Sequence, residues 1–169
     1  MKRAAGILIL SLFLTSCGYH LAGTGSTLPS YMKRIYIPPF ENRSDRAEIE
    51  QFLTAAVREE MVRRGKIVVD SREDADAELT GAITSFSVRP ISFNQQGEAT
   101  RFMITVSGKF ILKDLRTGKV FYASTNYVFR DEYDVEEGVA NFLTLQTETL
   151  ENIAKDFAKS IVSTILEGF

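Results

Sequence analysis

Cys17, the only cysteine in the 169-residue chain, has the setting that points most directly to a chemistry. Lys2 and Arg3 give a positive start, Ala4 to Leu14 is an almost unbroken apolar run, and Leu14-Thr15-Ser16 places small residues just before the sulfur. That order of features reads as a signal peptide over residues 1–16 closed by a bacterial lipobox, with Cys17 as the acylated first residue of the mature chain. A lone cysteine in an exported protein cannot form an internal disulfide, so acylation fits it better than stapling. Several acyl chains, at about 0.8 kcal/mol per buried methylene, would hold the protein stably on a membrane. Gly18 stands where an aspartate would signal inner-membrane retention, so the expected destination is the periplasmic side of the outer membrane.

The remaining reactive residue types do not assemble into a catalytic pattern. His20 is the only histidine and lies three residues after Cys17, which leaves neither a triad nor a His-based metal site for the body of the chain. Asp70, Glu73, Asp74, Asp76 and Glu78 form the densest acidic cluster, but it lacks the central glycine and closing glutamate of a calcium loop and reads as a solvated loop. Glu136, Glu137, Glu148 and Glu151 fall on or before a helix face, where negative charge complements the helix N-terminus. Gly23-Thr24-Gly25 lacks the strand-to-helix setting of a phosphate loop, and there is no nucleophile elbow. No catalytic residue, metal site or cofactor is expected, which favours a binding protein over an enzyme.

Charge and length narrow the class further. Cleavage removes Lys2 and Arg3, leaving 18 basic against 22 acidic residues, a formal charge of −4 that argues against nucleic acid as a partner. The N-terminal apolar run is shorter than the ~20 residues a membrane-spanning helix needs, and no later segment is long enough. The 153 residues that remain suit one domain. Gly, Ser and Thr dominate residues 17–32, which read as a lipidated tether, with the domain at 33–169.

Periodicity supplies the elements. Arg34 to Ile37 predicts a short strand stopped by Pro38-Pro39. Asp45 with Glu48 fits a capping box, and Ile49, Phe52, Leu53, Ala56, Val57 and Met61 recur at helical spacing until Gly65. Lys66 to Asp70 predicts a second strand, parallel to the first through a helical crossover. Two-residue alternation then runs through Ala77 to Val88, Thr100 to Asp114 and Lys119 to Arg130, an antiparallel meander.

With Leu115 to Gly118 as the turn, Leu112 should face Phe121, Phe110 face Ala123, Val106 face Tyr127 and Ile104 face Phe129. The opposite face then carries Phe86, Val88, Met103, Ile111, Tyr122 and Val128 among Arg101, Lys109, Lys113 and Arg130, unusually apolar for a solvent face. Asp134 and Glu137 fit a second capping box, followed by a stripe of Val139, Phe142, Leu143, Leu150, Ile153, Ala154, Phe157, Ile161 and Ile165, interrupted by Gln146. The expected architecture is an α+β two-layer sandwich, two amphipathic helices packed on one face of a small mixed β-sheet.

The run Cys17-Gly18-Tyr19-His20-Leu21, then Gly23, Leu28-Pro29 and the strand ending Ile35-Tyr36-Ile37-Pro38, resembles the start of lipopolysaccharide-assembly lipoproteins, the LptE family. The likeness continues through Phe40-Glu41-Asn42, Leu53-Thr54, Ala75-Asp76, Leu79 and Gly81. A strand, helix and second strand of this kind also resemble curli-secretion-type lipoproteins, an alternative in which the chain would build a secretion pore.

The LptE resemblance implies a non-enzymatic plug within an LptD-type outer-membrane β-barrel, helping to insert lipopolysaccharide into the outer leaflet. On that implication, Arg89, Arg101, Lys109, Lys113 and Arg130 are candidates to meet lipid A phosphates or core sugars through charge-assisted hydrogen bonds. The mixed sheet face is the candidate partner surface. The stretch from Arg89 to Thr100, with Pro90 and Phe93, is expected to be a loop that probes the barrel interior.

Overall fold

Pro38 and Pro39 divide the first extended segment of the sheet into two short strands. In the computed structural model, which describes residues 28–134 and 147–168, β1 (Arg34–Tyr36) pairs parallel with Ala77 and Glu78, and β2 (Glu41–Asn42) pairs parallel with Ala82 and Ile83. The prolines lack the N–H that would continue the ladder between them. The Ile37 carbonyl left at this break accepts from the Arg58 guanidinium, with Nε at 2.9 Å.

Arg58 belongs to α1 (Ile49–Arg63), which ends as Gly65 enters the left-handed region at φ 79°. The chain returns as β3 (Ile67–Val69), parallel to β1 with Arg34 opposite Ile67, which is the expected crossover. β4 (Ala77–Phe93), β5 (Ala99–Asp114) and β6 (Val120–Asp134) complete a mixed sheet of order β3-β1-β4-β5-β6, with β2 also on β4. α2 (Thr147–Glu167) lies beside α1, tied to it by Arg64, which reaches Glu167 at 2.9 Å and Ser163 at 2.6 Å. Both helices cover the same face of the sheet, the two-layer α+β arrangement that the periodicity predicts.

The core between the layers centres on Phe110. Its ring meets Phe40 at 5.3 Å, Tyr127 at 5.8 Å and Phe157 at 5.8 Å between centroids. Room for it comes from Gly81, directly opposite, and Gly108, two residues before: a Cβ on either would lie 2.6 to 2.7 Å from the ring. The predicted stripes are buried: Ile49, Leu53, Ala56, Val57 and Met61 on α1, and Leu150, Ile153, Ala154, Phe157, Ile161 and Ile165 on α2. Val139, Phe142, Leu143, Gln146 and Glu137 lie outside the described residues.

The first capping box does not form, and Glu137 of the second lies outside the described residues. Glu48, the residue before α1, is itself left-handed at φ 65° and makes no side-chain cap. Asn42 organises this entry instead: its side chain accepts from the Ser44 N–H and donates to the Arg46 carbonyl and to Glu50. Asp134 closes β6, and its carboxylate is taken by Arg101 at 2.5 Å.

The meander is longer than its alternation suggests, and its register is shifted. Leu112 faces Tyr122, Phe110 faces Ser124, Val106 faces Phe129 and Ile104 faces Asp131. Irregularities between Leu112 and Lys113 and between Gly108 and Phe110 displace the pairing, and a one-residue change moves a side chain to the other face. Tyr122 is therefore on the helix side, packed against the core. A further irregularity between Ile83 and Ser85 turns Phe86, Val88 and Pro90 the same way, opposite Val106, Ile104 and Phe102.

The expected Arg89 to Thr100 loop is mostly strand, with a turn at residues 94–98 closed by the Asn94 N–H on the Glu98 carbonyl at 2.9 Å. The last residues of the tether are also ordered into the domain: Leu28 and Met32 are buried in the core. Cys17 and His20 lie outside the described residues.

Candidate functional site

On the sheet face away from the helices, β5 presents its odd-numbered residues, because its even-numbered ones from Ile104 to Asp114 are buried against the helices. Arg101, Lys109 and Lys113 are thereby on the outer face together with Met103 and Ile111. Arg89 stands opposite Met103, Arg130 opposite Thr105 and Val128 opposite Ser107, so all five candidate cations share this face. No helix covers it among the described residues.

Between the cations lies a hydroxyl patch that forms no contiguous sequence motif. Ser85 faces Ser107 and Ser87 faces Thr105, four hydroxyls on two adjacent strands, with Arg89 and Arg130 towards the hairpin turn and Lys109 on the other side. The signal was present in the alternate spacing of Ser85 with Ser87 and of Thr105 with Ser107, but the bulge before Ser85 hides which face they share. Hydroxyls donate and accept, and guanidinium and ammonium groups donate with charge, so the surface is fitted to phosphate and sugar oxygens.

The five cations are not equivalent. Arg101 is held by Asp134 at 2.5 Å and Glu132 at 3.5 Å, and its hydrogen bond to Asp134 pushes its pKa further up. Arg89, Lys109, Lys113 and Arg130 have no carboxylate within ion-pair distance among the described residues. Ile111 is 44% exposed beside Lys113, which adds an apolar element to the same face.

Of the candidate partner residues, Met103, Ile111 and Val128 are on this face, whereas Phe86, Val88, Pro90 and Tyr122 are on the helix side. Phe93 stands apart at the start of the 94–98 turn, 59% exposed, with Ile91 also exposed nearby. On the far side of the molecule, a groove of about 620 Å³ between α1 and α2 has Phe52, Ala55, Ala56 and Ala154 in its lining. Glu48, Glu59, Glu151 and Lys155 also line it, so it does not continue the basic surface.

The acidic cluster is partly structural. Asp76 accepts from the Arg34 N–H at 2.9 Å and from the Arg34 guanidinium at 3.2 Å; these bonds outweigh burial and hold its carboxyl below the ordinary range. No group of three or more potential metal ligands occurs among the described residues.

A family model described as LptE, lipopolysaccharide-assembly, matches residues 32–165, which span every strand described, all of α1, and α2 as far as Ile165. The chain belongs to the LptE lipopolysaccharide-assembly family. Among solved structures, it is similar to an uncharacterised lipoprotein B from Nitrosomonas europaea, at 14% identity and TM-score 0.53, covering 88% of each chain. It is also similar to the PelC dodecamer from Paraburkholderia phytofirmans, at 11% identity and TM-score 0.53, covering 84% of this chain and 95% of that one. These likenesses concern the fold alone. No curated protein matches the sequence.

Proposed function

We propose that this LptE-family chain is an outer-membrane lipoprotein, anchored through Cys17, that works with an LptD-type β-barrel to bind lipopolysaccharide and assemble it. The supporting observation is the convergence of Arg89, Arg101, Lys109, Lys113 and Arg130 on one sheet face, which no helix covers among the described residues, around the hydroxyls of Ser85, Ser87, Thr105 and Ser107. Lipid A phosphates would accept from the cations, and core sugars would exchange hydrogen bonds with the hydroxyls. Met103, Ile111 and Val128 supply apolar contact on that face. The exposed hairpin end, with Ile91 and Phe93, contacts the barrel interior in this reading.

The decisive experiment is extraction in mild detergent followed by affinity purification of the tagged chain. Co-purification with an outer-membrane β-barrel is expected, and a solitary protein from cells that contain the barrel sinks the reading. A second reading, a self-assembling secretion-pore lipoprotein, draws support from the fold likeness to a dodecamer. Light scattering on the purified chain separates the two, because only the second requires a large homo-oligomer.

A further inference from the structure

Beyond β2, the edge of β4 has no neighbour among the described residues. β2 pairs with Ala82 and Ile83, the Arg43 N–H donates to the Ile83 carbonyl at 2.8 Å, and the chain then turns away. β4 itself continues to Phe93, paired only with β5 over this upper half. Among the described residues, a lane one strand wide alongside Ser85 to Pro90 is therefore vacant.

Main-chain orientation in that lane follows from the pairing. In an antiparallel ladder, residues alternate between bonding their partner strand and pointing away from it. Ile83, opposite Gly108, points its carbonyl away from β5 towards β2. Thr84 is the extra residue at the irregularity, so Phe86 opposite Val106, Val88 opposite Ile104 and Pro90 opposite Phe102 keep the orientation of Ile83. Phe86 and Val88 thus aim both N–H and C=O into the lane. Pro90, with no N–H, falls in the same set and removes no bond from the ladder with β5. The side chains of Phe86 and Val88 turn to the helix side but remain half-buried.

We propose that this lane receives an extended segment of a partner protein, which adds as a strand to β4 and carries acidic residues alternating with apolar ones. Strand addition matches main-chain donors and acceptors, while alternate side chains set specificity. Apolar side chains on one face of the incoming strand would lie beside Phe86 and Val88. Carboxylates on its other face meet Arg89 at the upper end; at the lower end the Arg43 guanidinium is already paired with Glu41 at 2.6 Å. Arg46, whose carbonyl is bonded by Asn42 at the end of β2, also has a buried Nε without a partner among the described residues. A second copy fits less well, because the same edge from Ser85 to Pro90 carries no carboxylate to meet Arg89 of the other molecule. Arg89 is shared with the outer-face cations, but the main-chain pairing in the lane does not depend on lipopolysaccharide binding.

The test is amide hydrogen exchange on the whole mature protein with a synthetic peptide of alternating Val and Glu. The Phe86 and Val88 amides should exchange rapidly in the free protein and become protected with peptide. Methylating the peptide nitrogens on its bonding edge should weaken binding by about tenfold or more, the scale of two lost main-chain hydrogen bonds. Replacing Glu by Lys in the peptide should also weaken it. Three results overturn the proposal: no protection at millimolar peptide, equal binding of the methylated peptide, or protection at Phe86 and Val88 already present in the free monomer. Concentration-dependent protection without peptide, matched by a dimer in sedimentation, assigns the lane to a second copy and overturns it as well.

Discussion

The Tyr31 hydroxyl donates to the Asp114 carboxylate at 2.6 Å, joining residues 83 positions apart and fixing the end of the N-terminal segment to the β5–β6 turn. The same carboxylate accepts from the Thr117 hydroxyl at 2.7 Å and the Arg116 N–H at 2.8 Å. Arg116 in turn places its guanidinium 4.7 Å from the centre of the Tyr31 ring. With the Tyr31 bond as the chief cause, the Asp114 carboxyl is held at about 2, below its ordinary 3.8.

A depressed carboxyl pKa contributes stability that is present above the unfolded value and lost as pH falls through the folded one. The Asp114 contribution should therefore disappear between about pH 4 and pH 2. Tyr31→Phe raises the folded pKa towards the unfolded value. In urea unfolding, the variant should be less stable than the parent at pH 7, and the gap should narrow as pH approaches 2. A gap independent of pH refutes the assignment.

Gly81→Ala should destabilise the fold by about 1–3 kcal/mol, because the added methyl enters space held by the rings of Phe110 and Phe40. Denaturant titration measures it. Ser85→Ala, on the outer face, should change stability by no more than about 0.5 kcal/mol. Trimming Phe110 to Leu in the Gly81→Ala background should cost less than it does alone, since the two changes share one space.

Thr54 is a buried bridge: its hydroxyl accepts from the Phe40 N–H at 3.0 Å and donates to the Glu50 carbonyl at 2.6 Å. Thr54→Val keeps the shape but leaves the Phe40 N–H unpaired, at a cost of about 1–3 kcal/mol. Thr54→Ser should recover much of that loss in thermal or urea unfolding. If Val is tolerated as well as Ser, the bond is not what holds this turn.

Reversing charge at Lys109 and Arg130 together should weaken lipopolysaccharide binding by about tenfold, more than reversal at Arg101 does. Arg101 is already offset by Asp134 and Glu132, whereas the other two have no ionic partner among the described residues. Binding titrations at rising salt should show the parent losing affinity and the double variant losing less. Equal losses from all three positions would mean that the Arg101 network opens on binding.

Phe40, Asn42, Thr54 and Gly81, which stand out in the sequence as family features, each have a physical task. Asn42 organises the entry to α1, Thr54 bonds the Phe40 N–H, and Gly81 makes room for Phe110 beneath Phe40. What pattern reading missed was a matter of count. The irregularity between Ile83 and Ser85 reversed the faces of Phe86 and Val88, and those in β5–β6 reversed Tyr122. The alternation nonetheless assigns Arg101, Lys109, Lys113 and Arg130 to one face, on which the pairing puts them; Arg89 joins them only through the irregularity before Ser85.

The sequence by itself determined the helical stripes, the parallel crossover, the long meander and the two-layer architecture, because each follows from local periodicity and the need to bury an apolar face. Tertiary structure alone decided where the extra residues in β4 and β6 are absorbed. It also decided that Arg101 is neutralised across the ladder and that, among the described residues, nothing pairs with β4 beyond β2 on that edge. Bulges, cross-strand ion pairs and strand endings depend on which backbone groups find partners across a register, and no alternation of side-chain types encodes that register uniquely.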